Sequence, residues 1–200
     1  MSTPQDCHEL LLRFAGRIGD RDLWRLRDWV SAGAVDAVAR ALPLMLLRER
    51  VGITPEESRL LSAVLVPAGA DAERLNAVPW VDDVPDLDYT FTPESPEWVS
   101  RGGDSVAVVL GALLRGRPEV VEARSSWRRG RSGDVRIVLV TVAEDGGDAA
   151  VRLTGELQRV LRALGSDEPA VEVLVRGRDV TRYHREAAAA SEPLFAMVHS

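Results

Sequence analysis

Two hundred residues, 46% of them apolar, with a formal charge of −6, are enough for a real hydrophobic core and exclude a disordered chain. The opening MSTPQDCHEL has no basic start and no long apolar stretch, so neither a signal peptide nor a membrane segment is expected and the compartment read from it is the cytoplasm. Cys7 is the only cysteine, which excludes an internal disulfide and any multi-cysteine metal site.

All 25 basic residues are arginine, a composition that points to a bacterium with a GC-rich genome. Residues 1 to 100 carry 10 arginines against 17 acids, and residues 101 to 200 carry 15 against 14. Neither half has the basic excess that binding a phosphate backbone needs, so nucleic acid is not the expected partner.

Thr3-Pro4-Gln5-Asp6 opens a helix, with threonine as N-cap and proline at the first helical position. Cys7, Leu10, Leu11, Phe14 and Ile18 make its apolar stripe, which marks Cys7 as a buried small apolar residue and not a nucleophile. Gly19-Asp20 starts a second helix, Arg21 to Ser31, with Leu23, Leu26 and Val30 inward. A third runs from about Ala34 to Arg50, to be kinked or split by Pro43. Thr54-Pro55-Glu56-Glu57 combines a capping box with an N-terminal proline and opens a fourth, which stops at Pro67. Four helices with short connections predict a helical bundle domain over residues 1–69. Trp24 and Trp29 are expected to pack within it.

The composition then changes. Between Ala70 and Glu97 eight acids face the single Arg74, and four prolines lie between Pro79 and Pro96. Residues 70–86 read as an acidic, proline-rich linker. The acids lack the ligand spacing, turn glycine and closing glutamate of a calcium loop.

From 87 to 200 the pattern is α+β. Leu87, Tyr89 and Phe91 alternate with polar residues as a short strand, and Asp104 caps an apolar helix that ends at Gly116. Val121 to Trp127 then alternates as a strand that turns near Gly130 to Gly133. Val135 to Ala143, VRIVLVTVA, has six β-branched residues and one charge, Arg136, so it reads as a strand covered on both faces. Asp148 caps an amphipathic helix with Leu153, Leu157, Val160, Leu161 and Leu164 on one side. Gly165 and Pro169 end it before a further strand, Val171 to Val175. Strand, helix and strand in that order predict a parallel βαβ unit. The full succession predicts a ferredoxin-like domain, βαββαβ, or αββαβ if the first strand is missing. An extra C-terminal helix is expected between Arg178 and Ser191, with Thr181 as its N-cap.

No stretch carries complete catalytic chemistry. The turn Glu144-Asp145-Gly146-Gly147-Asp148 precedes a helix but lacks GxGxxG spacing and a Walker lysine, and its carboxylates oppose a phosphate. His8, His184 and His199 make no metal motif, so no metal and no cofactor are expected. Trp127, Arg128, Arg129 and Arg131 form the only basic cluster, a mixture typical of interaction hot spots. Tyr183 and His184, with Asp179 nearby, are the polar residues best suited to a small-molecule or catalytic cleft between the domains. The leading expectation is a non-catalytic bacterial adaptor or regulatory module acting through another protein or through self-association. A small-molecule binder or enzyme at Tyr183 and His184 is the alternative.

Overall fold

The computed structural model describes residues 3–86, 88–130 and 133–194. The chain has a helical N-terminal region and a C-terminal mixed sheet, and divides into two compact units, Met1–Leu87 and Asp88–Ser200.

In the first unit, helices α1 (Pro4–Leu12), α2 (Asp20–Ser31), α3 (Val35–Arg48) and α4 (Pro55–Leu65) follow the periodicity of the sequence. Leu10, Leu11, Phe14, Leu26, Leu42, Leu46, Leu61 and Leu65 are all fully buried in its core. Both threonine-proline starts form capping boxes, Thr3 with Asp6 and Thr54 with Glu57. The helix α3 continues through Pro43 as one element, neither split nor ended there.

The stretch read as a linker is in its first part a piece of this unit. A short helix, α5 (Ala72–Asn76), is capped by Asp71 and packs on α3 and α4, with Leu75 and Val78 buried. Ile53 accepts from the Val81 amide and donates to the Pro79 carbonyl, at 3.0 and 2.8 Å, which fastens residues 79–81 to the approach to α4. A side chain at Gly52 would meet Val81 at 2.4 Å, so glycine there permits the close passage. Composition alone hides this, because two buried side chains anchor an otherwise polar segment.

Cys7 is fully buried, and burial together with the Asp6 carboxylate pushes its thiol up to about 12. A folded pKa above the unfolded value means that its contribution to stability is complete below about pH 8.5. It is lost at roughly 1.4 kcal/mol per pH unit from there towards pH 12. Urea unfolding at pH 8 and pH 10.5 is expected to show this loss in the natural chain and a smaller loss in Cys7→Ala. Parallel profiles for the two proteins would contradict it.

In the second unit, β1 (Tyr89–Thr92), β2 (Val120–Gly130), β3 (Gly133–Val142) and β4 (Ala170–Val175) lie side by side in that order. The short strand β5 (Glu192–Pro193) pairs with β2 at Arg124 and Ser125. Helices α6 (Glu97–Gly102) and α7 (Ser105–Leu114) connect β1 to β2, α8 (Gly147–Ala163) connects β3 to β4, and α9 (Arg182–Ala189) follows β4. The valine-rich run is the interior strand expected of it. It pairs antiparallel with β2 and parallel with β4, with Val138 opposite Val171 and Val140 opposite Val173.

The ferredoxin-like arrangement does not hold. That topology interleaves a strand between the two members of each parallel pair. Here β3 and β4 are direct neighbours, and β1 pairs antiparallel with β2 at the other side of the sheet. The succession of elements was legible, whereas the choice of neighbour was not. It depends on how α8 lays β4 beside β3 and on β1 extending the hairpin from Tyr89↔Gly130 to Thr92↔Trp127. The α8 helix also begins two residues earlier than expected, with Gly146 and not Asp148 at the N-cap.

Alternation along the strands divides the sheet into two faces. Val138, Val140, Val142, Val171, Val173 and Val175 pack with Leu110 and Leu114 of α7 and Leu153, Leu157 and Leu161 of α8. The opposite face receives α9: Tyr183 meets the rings of Tyr89 and Phe91, and Ser126 Oγ donates to the Ala190 carbonyl at 2.6 Å. Helices therefore cover both faces of the sheet, which explains why β3 lacks a polar side in its central residues.

Candidate binding site

A cavity of about 390 Å³ opens on the α7 and α8 face, where the start of β3 meets the start of α7 and the end of α8. This volume is in the range of pockets that hold a small molecule or a partner's side chain. Its most informative residues are Trp98, Asp104, Trp127, Arg136 and Glu168.

Each is placed by local structure. Asp104 is the N-cap of α7, and its Oδ1 accepts from the Ala107 amide at 2.9 Å. Its other oxygen, Oδ2, accepts from Arg136 Nη2 at 2.6 Å. Trp127 and Arg136 are cross-strand partners on β2 and β3, so they share one face of the sheet. The guanidinium lies over the Trp127 ring, 4.6 Å from its centroid, a cation–π contact. Trp98 of α6 meets Trp127 edge to face at 5.9 Å.

Trp127 is buried by these neighbours, whereas Trp98 is 67% exposed and Val108 of α7 is 72% exposed. The α7 sequence, SVAVVLGALL, has no charged residue, although only Leu110, Gly111 and Leu114 are buried in the core. One donor stands out: Arg136 Nη1 is buried and has no hydrogen-bond acceptor among the described residues. A buried N–H left in that state costs about 1–3 kcal/mol.

The basic cluster of the sequence is not brought together. Successive strand residues point to opposite faces, so Trp127 faces the cavity while Arg128 lies on the other side, 5.3 Å from the Tyr89 ring centroid. Arg129 is exposed near Asp134, at 3.9 Å. Arg131 lies outside the described residues, as does His199.

Tyr183 and His184 are both buried on α9. His184, only 1% exposed, has Nε2 2.8 Å from Glu172 Oε2 of β4 and Nδ1 2.8 Å from Thr181 Oγ1. Thr181 precedes α9 as expected, but its hydroxyl meets the imidazole and not a backbone amide. Asp179 is exposed. Hydroxyl, imidazole and carboxylate thus form a continuous chain, but one enclosed between α9 and the sheet. Among the described residues no group of three or more histidine, cysteine or acidic side chains is arranged to hold a metal ion, and no helix is long and apolar enough to cross a membrane.

Sequence reasoning missed Trp98 and the pairing of Asp104 with Arg136. The available signal was Arg136 itself, the one charge in an otherwise apolar interior strand. Comparison with family models, curated proteins and solved structures finds no match for this chain.

Proposed function

We propose that this chain is a non-catalytic adaptor or regulatory module that acts by binding another protein, with the Trp98, Trp127 and Arg136 cavity as its recognition site. In this reading it works in the cytoplasm of a bacterium. One observation carries it: a large aromatic ring, Trp98, stands exposed beside a cavity in which Arg136 is stacked on the buried Trp127. Aromatic and arginine side chains around a concave, partly apolar centre are the residues that supply most of the energy in protein interfaces. Val108 adds a second exposed apolar side chain, on α7, the helix whose start lines the cavity.

The alternative centred on Tyr183 and His184 has the Thr181, His184 and Glu172 chain in its favour. Yet both imidazole nitrogens are already engaged and the ring is enclosed. That arrangement suits a residue that fixes α9 to the sheet better than one that meets a substrate.

Affinity capture from the source cell's lysate is the test. The full chain is expected to retain a partner in stoichiometric amount, and Trp98→Ala to lose at least about nine-tenths of it, as truncating an interface aromatic worth 2 kcal/mol or more does. A chain that stays monomeric and partner-free, or a partner held equally well by Trp98→Ala, would overturn the proposal.

A further inference from the structure

Resting on that recognition site, we infer what the partner inserts there: an arginine side chain, its guanidinium stacked on Trp98 and paired with Glu168. The first argument is charge. Asp104, Asp134 and Glu168 line the cavity, with Arg136 as the one basic residue among them. That cation is already used, because Asp104 Oδ2 accepts from Arg136 Nη2 at 2.6 Å and the Arg136 side chain is only 11% exposed. Arg129 stands 3.9 Å from Asp134 and offsets that carboxylate in part. Glu168 is left: it is exposed and has no ion-pair partner among the described residues. The cavity therefore presents negative charge to whatever enters, which favours a cation and disfavours a carboxylate or phosphate.

The second argument is access. Trp98 and Glu168 line the cavity and are both exposed, so an entering side chain reaches the indole and the carboxylate alike. An indole face attracts a cation, and a planar guanidinium also stacks on it. Leu164, exposed and lining the same cavity, offers contact to the aliphatic stem of an arginine. The third argument is a precedent in the same place. Trp127, Arg136 and Asp104 already combine indole, guanidinium and carboxylate, with the guanidinium 4.6 Å from the ring centroid. Trp98 and Glu168 supply the indole and the carboxylate a second time, and the partner's arginine completes the set.

N-acetyl-argininamide and N-acetyl-citrullinamide provide the test, because they match in shape and only the first is charged. Titration of the full chain at pH 7, followed by NMR of the Trp98 and Trp127 indole N–H signals, is expected to give saturable shifts with the arginine compound in the millimolar range. The citrulline compound is expected to bind about fivefold more weakly, the combined worth of an exposed cation–π contact and an exposed ion pair. Glu168 is exposed, so Glu168→Gln should fold as the natural chain does. It is expected to bind the arginine compound about threefold more weakly and the citrulline compound unchanged. Equal binding of the two compounds, or Glu168→Gln binding the arginine compound unchanged, would overturn the inference. If neither compound shifts the two signals while Trp98→Ala still abolishes capture of the partner, this chemistry is wrong and the recognition site stands. If Trp98→Ala leaves capture intact, the partner docks elsewhere and both readings fall.

Discussion

Glu57→Ala is expected to destabilise the helical unit by about 3–5 kcal/mol, the largest effect of any single change considered. Arg17 and Glu57 form an ion pair in which both side chains are about 95% buried. Arg17 also donates to the Gly52 carbonyl, which ties the end of the α1 region to the approach to α4. Glu57 has a second task, since its Oε2 accepts from the Thr54 amide at 3.0 Å to complete the capping box. Removing the carboxylate leaves a buried guanidinium without its counter-charge and the first turn of α4 without half of its cap. Glu57→Gln keeps the cap and should fall between. The double change Arg17→Met with Glu57→Leu should recover much of the loss, because a buried pair replaced by apolar groups is often neutral. Chemical denaturation of the four proteins decides. A loss below about 1 kcal/mol in Glu57→Ala would show that the pair is hydrated.

Glu172→Ala is expected to cost about 2–3 kcal/mol, the range for a buried hydrogen bond to a charged group that loses one partner. Glu172 lies on β4 with only 1% of its surface exposed, and His184 of α9 is placed 2.8 Å from it. The alanine takes away the carboxylate that this ring nitrogen meets. Glu172→Gln retains an acceptor and should cost less. If the link holds α9 to the sheet, amide hydrogen exchange in Arg182–Ala189 should accelerate more in the alanine variant than exchange in β3. Equal stability of all three proteins would mean that packing of Tyr183 against Tyr89 and Phe91 suffices to hold the helix.

Much of the secondary structure was legible because its signals are local. Thr3 and Thr54 announce helices with a proline at the next position, and VRIVLVTVA declares an interior strand through its β-branching, its nine-residue length and the glycine turns on either side. Neighbour relations were less accessible. Residues such as Leu75 and Val78, buried within an acidic stretch, carry no periodicity that separates them from a linker, and the strand order depends on contacts far apart in the chain.

The site followed the same division. Asp104 was read correctly as a cap, yet its second oxygen reaches Arg136, 32 residues away, and no local pattern encodes that pairing. The run Trp127, Arg128 and Arg129 looks like one patch when read along the chain, and strand alternation sends its members to different faces. His184 invited a catalytic reading because its neighbours in sequence are polar. In the fold its neighbour is Glu172 of the sheet, which encloses it.

Oxidative footprinting of the chain alone and with its captured partner measures the decisive quantity, the accessibility of Trp98. Rapid modification of Trp98 is expected in the free protein and strong protection in the complex, with Val108 protected alongside it and the exposed Arg182 and Arg185 of α9 unchanged. Protection confined to the α9 side, with Trp98 equally reactive in both states, would contradict it.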